Sequence, residues 1–174
     1  MQKMFSLAAI AAAALSAAPA AAESVSASAQ AKAHGVILQP LTLTRIEDLD
    51  FGTVIASSTA GTVTINADTS ARTTTGGVTG VPNYPGQRGL FGGAGTAFQP
   101  VVLTLKAPSV LVSESNPSDI IEVEEMVLDN NNQTDRTINS TAAFFVGVGG
   151  TFNIAASQPN GSYSAPFELT AEYQ

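Results

Sequence analysis

The sequence predicts an all-β chain folded as one antiparallel β-sandwich, with a closed barrel as the alternative. Three observations predict it. Apolar residues recur at every second position in several segments, the period of a strand with one buried face. Clusters of Gly, Pro, Asn and Asp cut those segments into short runs, as turns do. Beyond the N-terminus, no long segment holds a 3.6-residue period, so helices have no sequence support.

The N-terminus reads as a signal for export. Lys3 supplies a positive charge, and Met4 to Leu15 is apolar throughout except for Ser6. Ala20-Ala21-Ala22 then fits a small-residue cleavage site. Cleavage is expected before Glu23, with cleavage after Ala20 as the near alternative. The apolar run is shorter than the roughly 20 residues of a spanning helix, so no membrane span is expected. The domain organisation is therefore a signal over 1–22, an arm or first strand over 23–35, and a β-sandwich over 36–174.

The elements follow in order. Val25, Ala27, Ala29, Ala31 and Ala33 share one face, opposite Ser24, Ser26, Ser28, Gln30, Lys32 and His34. A helix would scatter these alanines around its circumference. After Pro40, Leu41 and Leu43 alternate with Thr42 and Thr44. Leu49 to Val54 follows, and Thr62 to Ile65 reads as a short strand ended by Asn66 and Asp68. Arg72 to Thr75 stops at Gly76-Gly77, and the Gly- and Pro-rich Val81 to Gly95 reads as a long surface loop.

Val101, Leu103 and Leu105 alternate with Thr104 and Lys106. Val110 to Val112 is a short strand between turns at Pro108 and Pro117. Glu122, Glu124 and Glu125 permit a helix over Ile120 to Leu128, but the length and the Ile and Val residues favour a strand. Asp129 to Asp135 is a polar loop. Phe144 to Val148 and Thr151 to Ile154 form a hairpin or one bent strand around Gly149-Gly150. In the last run, Tyr163 to Tyr173, the residues Phe167, Leu169, Ala171 and Tyr173 oppose Glu168, Thr170 and Glu172. The total is roughly eight short strands, a number that suits two packed antiparallel sheets.

Composition narrows the function. About 150 residues remain after the signal, enough for one domain to bury a core without disulfides, and the chain has no cysteine. The net charge is −7, and removal of Lys3 makes the remainder more acidic. That argues against nucleic acid and anionic membrane surfaces as partners, since both select basic patches.

No catalytic constellation is expected. His34 is the single histidine, and no nucleophile and acid surround it in sequence as a triad requires. With no cysteine beside it, zinc has no ligand set. Glu114, Asp119, Glu122, Glu124 and Glu125 read as a solvated strand face rather than a paired-carboxylate site. Asp129, Asn131, Gln133 and Asp135 alternate as oxygen ligands do in calcium loops, but the central glycine and terminal glutamate of an EF-hand are missing. Gly86 to Gly95 lacks the Lys-Ser or Lys-Thr of a phosphate loop. The reading is therefore a non-enzyme with no cofactor and no metal.

An ordered set of short motifs carries a resemblance. It runs Leu49-Asp50-Phe51-Gly52, Gly61 to Ile65, Arg72-Thr73, Gly76-Gly77-Val78, Gly149 to Ile154, Gln158, Gly161-Ser162-Tyr163 and Phe167 to Tyr173. The chain thus resembles the DUF4402 family of small exported proteobacterial proteins. These are similar in turn to chaperone–usher pilins and spore coat protein U-like subunits. The resemblance implies an immunoglobulin-like, pilin-like sandwich, with Tyr173 as the penultimate tyrosine of the last strand and Gly161 as the glycine fourteen positions from the C-terminus. It implies that Val25, Ala27, Ala29, Ala31 and Ala33 add to a neighbouring subunit, and that Gly161, Phe167, Leu169, Ala171 and Tyr173 take part in the same strand-addition assembly.

Two departures weaken the parallel: the disulfide many pilins carry is absent, and the arm is built of alanine. At about 0.8 kcal/mol per buried CH₂, methyl groups contribute far less than Val, Ile or Leu, unless Ile37, Leu41 and Leu43 take part.

The leading expectation is an exported structural subunit of a surface appendage, a fimbria or pilus, assembled by β-strand addition. Its partners would be other copies or related subunits, with a periplasmic chaperone and an outer-membrane usher. The final compartment would be the periplasm, the cell surface or the medium. The alternative is a self-contained extracellular or periplasmic binding or matrix domain with its first strand folded in place. A secreted enzyme ranks third.

Overall fold

The computed structural model describes residues 26–174. The expected signal over 1–22 and the first arm residues, Glu23, Ser24 and Val25, lie outside the described residues. The chain divides into two units, Met1–Val36 and Ile37–Gln174. In the first, the described residues 26–36 are exposed and carry no regular secondary structure. The strands all belong to the second.

The second unit is all-β, with antiparallel pairing throughout. The strands are β1 (Thr42–Glu47), β2 (Val54–Ile55), β3 (Gly61–Ile65), β4 (Arg72–Thr74), β5 (Thr79–Gly80), β6 (Gly89–Ala94) and β7 (Pro100–Lys106). They continue with β8 (Val110–Ser113), β9 (Ile120–Leu128), β10 (Asp135–Thr137), β11 (Ala143–Ile154), β12 (Tyr163–Ser164) and β13 (Glu168–Tyr173). One sheet runs β1-β6-β11-β9-β8-β12, with β3 joined to β11 and β4 to β3. A second runs β10-β7-β13, and β2 pairs with β5.

Strand β11 organises the molecule. One of its edges pairs first with β6, over Ala143 to Val148, and then with β3, over Gly150 to Ile154. Its other edge pairs with β9. The large sheet therefore forks at Gly149 and curls into a half-barrel. The fork creates two cores. Phe144, Val146 and Val148 on the first half pack with Val101, Leu103, Ile138 and Leu169. Phe152 and Ile154 on the second half pack with Val63, Val78, Leu111 and Ile121. Full burial of each such side chain contributes about 1.5–3 kcal/mol.

Strand β9 crosses between the cores by means of a bulge. Its register on β11 shifts between Thr151 and Phe152, so that Glu125 pairs with Thr151 and Val123 with Phe152. Glu124 is the extra residue, and it moves the inward set from Ile121 and Val123 to Met126 and Leu128. Two adjacent exposed glutamates are the sequence trace of that parity change. The strand reading of this segment over a helix holds.

A polar knot fixes the small sheet. The Arg72 guanidinium donates to the carbonyls of Thr53 (3.0 Å), Tyr84 (2.8 Å) and Val81 (2.9 Å). It ties β4 to the segments flanking β2 and β5. Gly52 sits at φ 73° beside it, where an added Cβ would collide with the Tyr84 carbonyl and approach the guanidinium to 2.7 Å. The motif glycine after Phe51 is thus required by both conformation and space.

Two expectations need correction. There are thirteen strands among the described residues rather than about eight, because several are two or three residues long. Val81 to Gly95 is not a loop throughout, since Gly89–Ala94 is strand β6, paired on both edges. Its glycines serve packing. A Cβ on Gly93 would overlap the Phe144 ring, and one on Gly92 would press on Ile46 at 3.1 Å. Phe167 to Tyr173 holds a strand as expected, and the run from Tyr163 contains a second, β12. The run breaks at Ala165-Pro166, where proline has no N–H to offer a ladder, and its halves join different sheets. Asp129 to Thr134 is a turn as expected, and Asp135 opens β10. The turn holds Asn130, Asn131 and Asn132 in left-handed conformation at φ 53°, 59° and 57°.

Candidate functional site

The principal concave feature lies where three strand edges end. Within the large sheet β1 and β12 are terminal, and β13 is terminal in the three-stranded sheet. Each therefore has one edge with no paired strand among the described residues, and such an edge leaves backbone N–H and C=O groups available.

Two adjoining hollows of about 680 and 610 Å³ occupy this region, and both are lined by Asp50, Phe51 and Tyr163. Together they make one cleft. One wall is the chain from Arg45 to Ala56, and the other is Gln158 to Leu169. The floor is apolar: Leu111, Met126 and Phe152 under one part, Ile121 and Ile154 under the other.

The walls are built locally. On the first, Phe51 packs on Phe152 with ring centroids 5.3 Å apart. Its backbone is tied outward, with Asp50 bridged to Gln87 and Thr53 N–H donating to the Tyr84 carbonyl at 3.1 Å. On the second, the Tyr163 hydroxyl donates to the Pro159 carbonyl at 2.7 Å, and Gln158 Nε2 donates to the Ile120 carbonyl at 2.9 Å. Phe167 meets Phe91 edge-on at 5.8 Å. The rim carries two exposed ion pairs, Arg45–Asp48 at 2.8 Å and Lys106–Glu168 at 3.0 Å. Pairs this exposed contribute little to stability.

The far end of the seam is closed. The Tyr173 hydroxyl donates to the Gln39 carbonyl at 2.8 Å and accepts the Thr96 N–H at 2.8 Å. Leu41, Leu43, Ala171 and Tyr173 all pack against the first core there.

The sequence-derived site residues separate accordingly. Phe167 and Leu169 line the cleft, and Gly161 lies in its second wall. Ala171 and Tyr173 belong to the closed end. Ala27, Ala29, Ala31 and Ala33 are exposed and outside any strand, and Val25 lies outside the described residues. Leu49, Phe51, Phe91 and Phe152 line the cleft but were not singled out for it. Their signal was the alternation around Leu49 and Phe51, which fits core and cleft equally.

The remaining polar candidates have local partners or none. The Asp129 carboxylate is bonded to Arg136 at 2.7 Å. Glu114, Glu122, Glu124 and Glu125 are exposed on strands and turns, and Asn116 Nδ2 donates to Asp119 at 3.0 Å. His34 is exposed. Among the described residues there is no group of three or more His, Cys, Asp or Glu placed to hold a metal ion.

The fold and cleft define an all-β, antiparallel domain with unpaired strand edges beside an apolar groove. The family described as "Domain of unknown function (DUF4402)" matches residues 41–173, and the chain belongs to that family. No curated protein and no solved structure matches the chain.

Proposed function

We propose that this protein is an exported structural subunit of a surface appendage, assembled by β-strand addition. In this reading the two main sheets form an immunoglobulin-like, pilin-like sandwich short of a strand. The observation that carries it is the cleft itself: an apolar floor flanked by the free edges of β12 and β13. An extended peptide laid there gains main-chain hydrogen bonds, at about 0.5–1.5 kcal/mol each, and buries alternate side chains. The arm at residues 24–34 supplies such a peptide, with Val25, Ala27, Ala29, Ala31 and Ala33 on one face. The partners are other copies or related subunits, with a periplasmic chaperone and an outer-membrane usher as assembly factors. Its place is the periplasm, cell surface or medium, and its role involves no catalysis or cofactor.

A specific observation favours a second reading. A row of alanine methyls is small for a groove floored by Leu111, Met126 and Phe152. A self-contained domain that binds a bulkier apolar ligand in the cleft fits that mismatch.

The test compares the exported chain with a version lacking residues 24–34, by size-exclusion chromatography over a range of concentrations. Strand addition predicts that the deletion abolishes assembly and that the free peptide of residues 24–34 binds the shortened chain and raises its melting temperature. If both chains stay monomeric at high concentration with native folding partners supplied, the second reading replaces the first.

A further inference from the structure

We propose that Ile37 and Phe98 form a contact surface for a second copy of this chain, the copy that takes up the arm. The proposal rests on the strand-addition reading. The root of the arm is fixed to the turn after β6. Gln39 N–H donates to Thr96 Oγ1 at 2.7 Å, and the Gln39 carbonyl accepts from the Tyr173 hydroxyl at 2.8 Å. Two residues before Gln39 stands Ile37, 98% exposed, and two residues after Thr96 stands Phe98, 69% exposed. Ile37 and Phe98 thus each stand two residues from one tie point.

Phe98 is costly to the isolated domain in two ways. It lies at φ 62°, a left-handed conformation that bulky side chains adopt only under strain. It also exposes an aromatic ring that packs into neither core. The turn needs only the backbone there, since Phe98 N–H donates to the Ile138 carbonyl at 2.9 Å and Gln99 N–H to the Thr96 carbonyl at 3.3 Å. Glycine or asparagine would hold that geometry with less strain. A ring kept at such a position points to a use outside the monomer.

The occupant is a second copy because the arm is rooted at this turn. Any subunit that holds the arm in its cleft is held within a few residues of Ile37 and Phe98. The turn from Thr96 to Pro100 carries no charge, so an apolar surface suits it. Buried aromatic side chains dominate such contacts, and the strand and this surface reinforce each other through shared effective concentration.

The experiment measures association by analytical ultracentrifugation and stability by thermal melting. The samples are the exported chain, Phe98→Gly, Phe98→Asn, Ile37→Ser and the deletion of 24–34. Expected are melting temperatures for both Phe98 variants equal to or above the native value. Expected too is an association constant about tenfold lower for each substitution, and no association for the deletion. Lower melting temperatures for both Phe98 variants would make the ring part of the monomer's fold and overturn the proposal. Native-like association of all three substitutions, with none for the deletion, would overturn it while leaving strand addition intact. Native-like association of the deletion, or a native chain that never associates, would remove strand addition and this surface together.

Discussion

The hydroxyl of Tyr173 reaches back across the sheets to the carbonyl of Gln39, 134 residues earlier in the chain, at 2.8 Å. Because the same oxygen accepts the Thr96 N–H, one side chain closes one end of the seam between β1 and β13. Tyr173→Phe keeps the ring and removes both bonds. Unfolding in urea should show a loss of about 1–2 kcal/mol, with the slope of the transition unchanged.

Arg72 and Gly52 should behave as a coupled pair. Arg72→Met removes a donor shared by three well-placed carbonyls, and charge-assisted bonds contribute about 1.5–3 kcal/mol. Gly52→Ala places a methyl against the Tyr84 carbonyl and the guanidinium at a positive φ. Each substitution should destabilise by at least 2 kcal/mol or so in denaturant titration. The double variant should lose less than the sum, because the two act on one knot.

The Arg136–Asp129 pair is the buried ion pair among the described residues, with side chains 8% and 15% exposed and a separation of 2.7 Å. Asp129→Asn leaves the guanidinium buried without its counter-charge, and Arg136 Nε already has no partner. A loss of about 3–5 kcal/mol is expected, read as a lowered denaturation midpoint. Asp129→Asn combined with Arg136→Met should recover part of it.

Residues 26–36 are exposed throughout, so they contribute little burial. Deletion of 24–34 should leave the thermal midpoint of the monomeric domain within about a degree of the native value, since surface changes seldom exceed ±0.5 kcal/mol. Limited proteolysis should cut there before it cuts the sheets.

Much of this architecture was legible because strands announce themselves by alternation. Val101, Leu103 and Leu105 marked β7, and Leu169 and Tyr173 marked β13, with their inward faces assigned correctly. What escaped was whatever side-chain chemistry does not encode locally. Strand β6 reads Gly-Leu-Phe-Gly-Gly-Ala, and by propensity such a run is a loop. It is a strand because Phe144 and Phe145 on the neighbouring β11 cover the space its glycines leave. That information lies some fifty residues away in the sequence. The cleft escaped for a related reason. Phe51 and Phe152 alternate as core residues do, and only the sheet order tells which apolar rows end beside an unpaired edge.

Strand β11 also sets a timetable. It supplies both cores and pairs with β6, β3 and β9, all of which precede it in the chain. Neither core can close until residue 154 is available, however much of the chain already exists. Contacts this distant in sequence form slowly, and β6, β3 and β9 wait with only β1, β4 and β8 beside them, each with one open edge prone to aggregate. A polypeptide threaded N-terminus first through a narrow channel would thus keep both cores open until late in its passage. Late closure makes the fold compatible with translocation, and it also gives any holding factor on the far side time to bind first.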